Sequence, residues 1–444
     1  MYRFGFGLMW VVGTFGCGGS DGASDAAPSD APSDSSSDAH EDAGVADGGS
    51  PLGPYPPVTD LPARDALPDL FMSFDGTRRA SDVSEWEAWR QDELRDLFAF
   101  YQYGYAPSDE VPVTVEVVVS EPDFIPDQVR YDELAVRLGD LGLVVHVALF
   151  TPHGVDSPPV FVAPNRCGNQ EVTEDPRVRA TTAWQGDNCG STVEESRGVR
   201  AYQWPISSIA EAGFAFATFH ESEIDPDDEE HDFANGVHAA LVDSARDPRI
   251  RWGRVAAWAW GVSRVIDGLL EHGTVDATRI AAVGHSRRGK TVLLAAAHDP
   301  RIALVIAHQS GTGGVALHRS LEGETLELIN ALFPSWFNDV FPTFARRELQ
   351  TPVDQHQLIA LVAPRAVLAT DGSDDRWADP DGARAAVLAA SPAWELYGAP
   401  GVVLDDAGAP TLDGPLAWHL RPGDHDLTDD DWATFLEFAR RRGW

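Results

Sequence analysis

Beyond residue 110 the chain alternates short apolar runs with longer stretches of helical period. Residues 113–120 and 143–150 predict strands that open a sheet in antiparallel fashion, and 160–163 and 214–219 are short apolar runs of strand type. Residues 252–272 predict a helix, with Trp258, Val262, Val265 and Leu269 repeating on one face. Further strands are expected at 280–283, 302–307 and 367–370. Helices are expected after Ser286 and at 322–332, 356–361 and 379–390. A closing helix is expected at 430–441, starting near Thr428. An earlier helix at 85–103 sits in a 60–110 segment expected to cover one sheet edge. Strands alternating with helices imply an α/β fold, a three-layer sandwich around a mostly parallel sheet. The sequence carries no internal repeat.

One of these strand-to-helix junctions has chemistry in it. The apolar run 280–283 is followed by Gly284-His285-Ser286-Arg287-Arg288-Gly289-Lys290 and then an Ala- and Leu-rich stretch. A serine on a sharp strand-to-helix turn is the nucleophile elbow of α/β-hydrolases. The turn exposes Oγ, and the helix N-terminus behind it offers backbone N–H groups to an oxyanion. The usual spacing is G-x-S-x-G; this chain has one residue more, an arginine directly after the serine.

A nucleophilic serine needs a base and an orienting acid, which follow in the order Ser, acid, His in this fold. His425, in the polar loop before the last helix, is placed to be the base. His419 competes, but its apolar neighbours Trp418 and Leu420 make it a strand residue. The loop after the 367–370 strand offers Asp371, Asp374, Asp375 and Asp379 as acids, and spacing alone does not choose among them.

Composition narrows the partners. With 444 residues and a formal net charge of −37, the chain is a poor match for nucleic acid or an anionic membrane. A site for an anionic ligand must carry its own basic groups. At the N-terminus, Arg3 precedes an apolar stretch too short to span a bilayer, which predicts a signal peptide over residues 1–17. Cys17 stands where a lipoprotein signal is cut and lipid-anchored; ordinary secretion with another cut site is the alternative. Residues 18–58, rich in Asp, Ser, Ala, Gly and Pro, predict a disordered tether ahead of a catalytic domain over 59–444. Cys167 and Cys189 lie in polar loops of an exported chain, which predicts a disulfide between them. Their spacing brings no companion metal ligands, so zinc is not expected.

From about Leu67 to its C-terminus the chain resembles the glucuronoyl esterases of carbohydrate esterase family 15, in their bacterial branch. The resemblance is carried by Gly284-His285-Ser286-Arg287-Arg288-Gly289-Lys290. It extends to the segments 219–226, 258–261, 310–314, 323–325, 333–337, 352–360, 377–380 and 421–426. It implies Ser286 as nucleophile and His425 as base. Arg287 would be an oxyanion residue through its N–H and its guanidinium. Lys290 and Glu324 would contact uronate hydroxyls, and Trp377 would cover the sugar. The plain alternatives are a solvated first-turn lysine, a solvated helix carboxylate and a core tryptophan. Many members carry the triad acid as a Glu just before the Ser-Gly-x-Gly-Gly segment. Gln309 occupies that position here and cannot ionise. The bacterial variant of the pattern points instead to Asp375, two residues before Trp377.

The implied activity is hydrolysis of esters of 4-O-methyl-D-glucuronic acid, as between glucuronoxylan and lignin alcohols, without cofactor or metal and with no demand for more than a monomer. An acetylxylan esterase with the same triad, and a surface glycan-binding protein that has lost catalysis, are the alternatives.

Overall fold

The alternation along the chain resolves into one nine-stranded sheet: β1 (Val113–Ile125), β2 (Val129–Leu138), β3 (Leu143–Pro152), β4 (Val160–Asn165), β5 (Ala215–His220), β6 (Ile280–His285), β7 (Ile302–His308), β8 (Ala366–Gly372) and β9 (Leu416–Arg421). The computed structural model describes residues 55–107, 110–186, 188–231, 233–242 and 247–444. The expected signal peptide, Cys17 and nearly all of the tether lie outside these residues. Spatial order is β1-β2-β3-β5-β4-β6-β7-β8-β9. The β1–β2, β2–β3 and β3–β5 pairs are antiparallel, and every pair from β5 to β9 is parallel. This is the α/β-hydrolase arrangement, a mixed, mostly parallel sheet.

Among the described residues ten α-helices accompany it: α1 (Val83–Glu85), α2 (Gln91–Phe98), α3 (Ile206–Glu211), α4 (Gly236–Ala240), α5 (Arg254–His272), α6 (Arg287–His298), α7 (Leu326–Leu332), α8 (Gln355–Ala360), α9 (Pro380–Leu396) and α10 (Asp429–Arg441). Two cores result from the two-residue period of the strands. Ile280 and Ala282 of β6, with Val305 and Ala307 of β7, face the layer built by α5, α6, α8 and α9. Their neighbours Ala281, Val283, Leu304 and Ile306 face α3 and α10, where Trp432 and Phe435 are buried. Parallel strands covered on both faces show as continuous apolar runs, which is why 280–283 and 302–307 stand out in the sequence.

Four expectations are corrected. The strand β2 escapes the sequence reading because Asp132 and Glu133 interrupt its pattern; both are buried, paired with Arg130 and with the Tyr131 hydroxyl. The helix expected at 322–332 begins only at Leu326. Thr325 caps it by accepting from Leu328 N, and Gly323 turns with φ 59°, so Glu324 sits in a turn. The helical segment runs from Val83 to Tyr103 through two π turns (Trp86–Arg90 and Ala99–Tyr103). It packs on the helical layer, not along a sheet edge: Arg95 donates to the Ala297 carbonyl at the end of α6, and α2 lies against α8. Finally, the folded part already includes Tyr55 and Val58. The Tyr55 ring packs on Phe74 and Phe100, and Val58 is buried.

Candidate active site

Ser286 stands between β6 and α6 with φ 61° and ψ −129°. A non-glycine residue held in this region is strained, and the surroundings must enforce it. The enforcement is visible. Ser286 N donates to His308 O of β7 at 2.9 Å, and Gly289 N donates to Ser286 O at 2.8 Å. A Cβ on Gly284 would lie 2.2 Å from Arg288 O, so strand and helix approach too closely for any side chain there. Arg287 is the first residue of α6, where backbone N–H groups have no acceptor within the helix.

The four aspartates after β8 separate by environment. Asp375 is buried, and its Oδ2 accepts from His425 Nδ1 at 2.7 Å, while Oδ1 accepts from Ala378 N at 3.2 Å. Asp371 accepts from Trp418 Nε1, and burial pushes its carboxyl up to about 7. Asp379 caps α9 through Gly382 N, and Asp374 is exposed. Asp375 is thus the member of the cluster that meets His425. With Nδ1 committed to Asp375, Nε2 is the ring nitrogen available to take a proton. His425 reaches the elbow itself: its ring centroid is 4.5 Å from that of His285, the residue before Ser286. His419 lies on β9 and is half-buried.

Arg287 forms an ion pair with Asp227, and its guanidinium lies over the rings of Trp336 (4.6 Å) and Phe333 (5.6 Å). Trp336 Nε1 in turn donates to the other oxygen of Asp227. Burial lowers the Arg287 guanidinium to about 9, so it remains a cation at neutral pH. Beside it, Arg288 pairs with Glu221 at 2.6 Å.

Lys290 is neither solvated nor free. It is 2 % exposed, and its Nζ donates to Ser310 O (2.7 Å), Thr312 O (2.6 Å) and Glu324 Oε2 (2.6 Å). All three donors are therefore spent on the protein. Glu324 is 3 % exposed and not a solvated helix residue; its N–H bonds Trp377 O at 2.9 Å. Trp377 itself is 40 % exposed, so it belongs to no core. The fold thus brings together Ser286, Arg287, Lys290, Glu324, Asp375, Trp377 and His425. Cys167 and Cys189 are joined in a disulfide, Cα–Cα 5.3 Å, in loops beyond β4. Among the described residues no cluster of three or more His, Cys, Asp or Glu side chains could hold a metal ion.

Asp227, His285 and Glu221 were not singled out from sequence. Asp227 follows the 219–226 segment by one residue and Glu221 lies inside it, so a signal was present. What was missing was the fold that carries this segment to α6.

A family model described as glucuronyl esterase, fungi, matches residues 197–398. Carbohydrate esterase MZ0003, from an unknown prokaryotic organism, is 35% identical over 390 residues, which covers 84% of this chain and 88% of that protein. A solved structure described as a promiscuous CE15 esterase from the marine bacterial metagenome matches with TM-score 0.78 at 34% identity, covering 86% of this chain and 98% of its own. A glucuronoyl esterase from Solibacter usitatus matches with TM-score 0.77 at 31% identity, covering 86% of this chain and 99% of its own. The chain belongs to carbohydrate esterase family 15, the glucuronoyl esterases.

Proposed function

We propose that this protein is a serine carboxylesterase that hydrolyses esters of D-glucuronic acid and its 4-O-methyl form, as in the links between glucuronoxylan and lignin alcohols. The observation that carries the reading is the His425–Asp375 contact at 2.7 Å beside the strained Ser286 turn. Ser286 Oγ attacks the C6 carbonyl as His425 Nε2 takes its proton. Asp375 holds the imidazole tautomer and stabilises the imidazolium. The Arg287 N–H and guanidinium face the oxyanion, a role that gains from a cation held in place by Asp227 and Trp336 before charge develops. His425 then protonates the leaving alcohol, and water cleaves the acyl-enzyme along the same path.

Glu324 supplies an acceptor for a sugar hydroxyl and Trp377 an exposed aromatic face for the ring. Lys290 serves the substrate indirectly, by fixing the Glu324 carboxylate. Export with a lipid on Cys17, and action as a monomer, complete the proposal; the disulfide fits an oxidising compartment.

The test is hydrolysis of benzyl D-glucuronate, with p-nitrophenyl acetate and acetylated xylan in parallel, by the parent and Ser286→Ala. Glucuronate ester hydrolysis that vanishes in Ser286→Ala is expected. Cleavage of acetyl esters alone would move the function to deacetylation. Folded protein inert on all three would leave a glycan-binding role. Labelled palmitate incorporated by the parent but not by Cys17→Ala is the expected result for the anchor.

A further inference from the structure

Gln309 follows β7 and is buried, in a backbone conformation with φ 45°. Its N–H donates to Thr370 O at 2.7 Å, which ties the residue to β8. The side-chain amide is used on both ends. Nε2 donates to Asp424 O at 2.9 Å, and Oε1 accepts from Asp426 N at 2.9 Å. These are the backbone groups on either side of His425. Oε1 accepts a second bond, from His285 Nε2 at 3.0 Å. The Asp426 N–H fixes which end of the amide is oxygen, so the proton on His285 is at Nε2.

We propose that Gln309 is a positioning residue that spans the nucleophile elbow and the base loop, and so sets the spacing between Ser286 and His425. The inference rests on the reading of His425 as the base. One amide holds the residue before the nucleophile and both neighbours of the base. Only a group that donates and accepts at once can do this. A carboxylate at the same place would set its charge against Asp424 O, and an apolar side chain would leave the Asp426 N–H without its acceptor.

Two further observations point the same way. Gly372, at the end of β8, has no room for a side chain: a Cβ would lie 2.5 Å from Gly423 O and 2.6 Å from Gln309 Nε2. The close approach of loop to amide is thus built into the sheet. Arg421 and His308 grip the loop through its carbonyls. Arg421 donates to Pro422 O, Asp424 O and Asp426 O, and His308 Nε2 donates to Asp426 O. They hold the loop down, and His308 packs its ring against His285, but neither makes a hydrogen bond to His285 as Gln309 does. The His285 imidazole is kept neutral, chiefly by burial and then by its neighbours His425 and His308, so it brings no charge against the imidazolium that forms during turnover.

The test uses Gln309→Met, which keeps volume and loses every hydrogen bond, and Gln309→Asn, whose amide is one methylene too short to reach both Asp424 O and Asp426 N. Three quantities are measured at pH 7: kcat and KM on benzyl D-glucuronate, the rate of inactivation by phenylmethylsulfonyl fluoride, and the thermal midpoint. Inactivation reports activation of Ser286 whatever acyl group the site prefers, so failure of the substrate assignment and failure of this proposal are distinguishable. Roughly 10- to 100-fold losses in kcat and in inactivation rate are expected, with KM within about twofold, as for a misplaced base. A folded Gln309→Met with inactivation within about twofold of the parent overturns the proposal. Should that variant not fold, the same result in Gln309→Asn overturns it.

Discussion

Lys290 and Glu324 form a buried ion pair, Nζ to Oε2 2.6 Å, that joins the first turn of α6 to the turn before α7. Removing one member of such a pair leaves an uncompensated charge, whereas removing both does not. Lys290→Met is therefore expected to cost about 3–5 kcal/mol in urea unfolding. Lys290→Met combined with Glu324→Gln recovers much of that loss in stability while remaining poor in KM for the uronate ester. Equal instability in the single and double variants would refute the pairing argument.

The aspartates at 374 and 375 are neighbours in sequence with different surroundings. Asp375→Asn is expected to lower kcat by about 10³- to 10⁴-fold, since an amide no longer fixes the His425 tautomer. Asp374→Asn, at an exposed position, leaves kcat within about twofold. Steady-state kinetics on benzyl D-glucuronate decides between them.

His318 is buried with no hydrogen-bond partner on either ring nitrogen, and burial pushes it down to about 4. A histidine depressed in the folded state binds its proton better when unfolded. Its contribution is thus intact above the unfolded value near 6.5 and is lost as the pH falls towards 4. Denaturant midpoints taken across pH 6.5 to 4 should fall. In His318→Phe the fall should be shallower, by on the order of 3 kcal/mol in unfolding free energy at the acid end. A slope unchanged by the substitution would remove His318 from the account.

The Cys167–Cys189 bond closes a loop with a sequence separation of 22. Constraint of the unfolded chain by a loop of that length is worth about 3 kcal/mol. Reduction, or Cys189→Ser, should lower the denaturant midpoint accordingly. Loss of stability under reductant in the parent but not in the variant is the signature to look for in thermal melts.

What could be read from sequence was local. The elbow declares itself because a parallel strand buried on both faces must be apolar, and because Gly284 and Gly289 have no substitute where strand and helix touch. The closing helix was placed well because Thr428 caps it through Asp431 N, a contact three residues apart. Asp375 needed more: its local pattern is that of Asp371, Asp374 and Asp379, and resemblance separated them before geometry did. Lys290 shows the limit from the other side. The resemblance implies Lys290 and Glu324 as separate contacts to sugar, yet the Lys290 donors go to Ser310, Thr312 and Glu324, which only the folded chain brings within reach. Gln309 appeared in sequence merely as the wrong residue for an acid. Its bonds reach His285, Asp424 and Asp426, across distances in sequence that no periodicity reports.

Ser286, Gln309, Asp375 and His425 follow the ends of β6, β7, β8 and β9, four strands adjacent and mutually parallel in the sheet. Their spacing is inherited from the ladder between those strands. Amide protons of the inner strands β6, β7 and β8 should then exchange with solvent only when the whole sheet opens, whereas β9, at the end of the strand order, can fray first, so loss of activity on heating should follow the release of β9 and precede exchange of the inner strands.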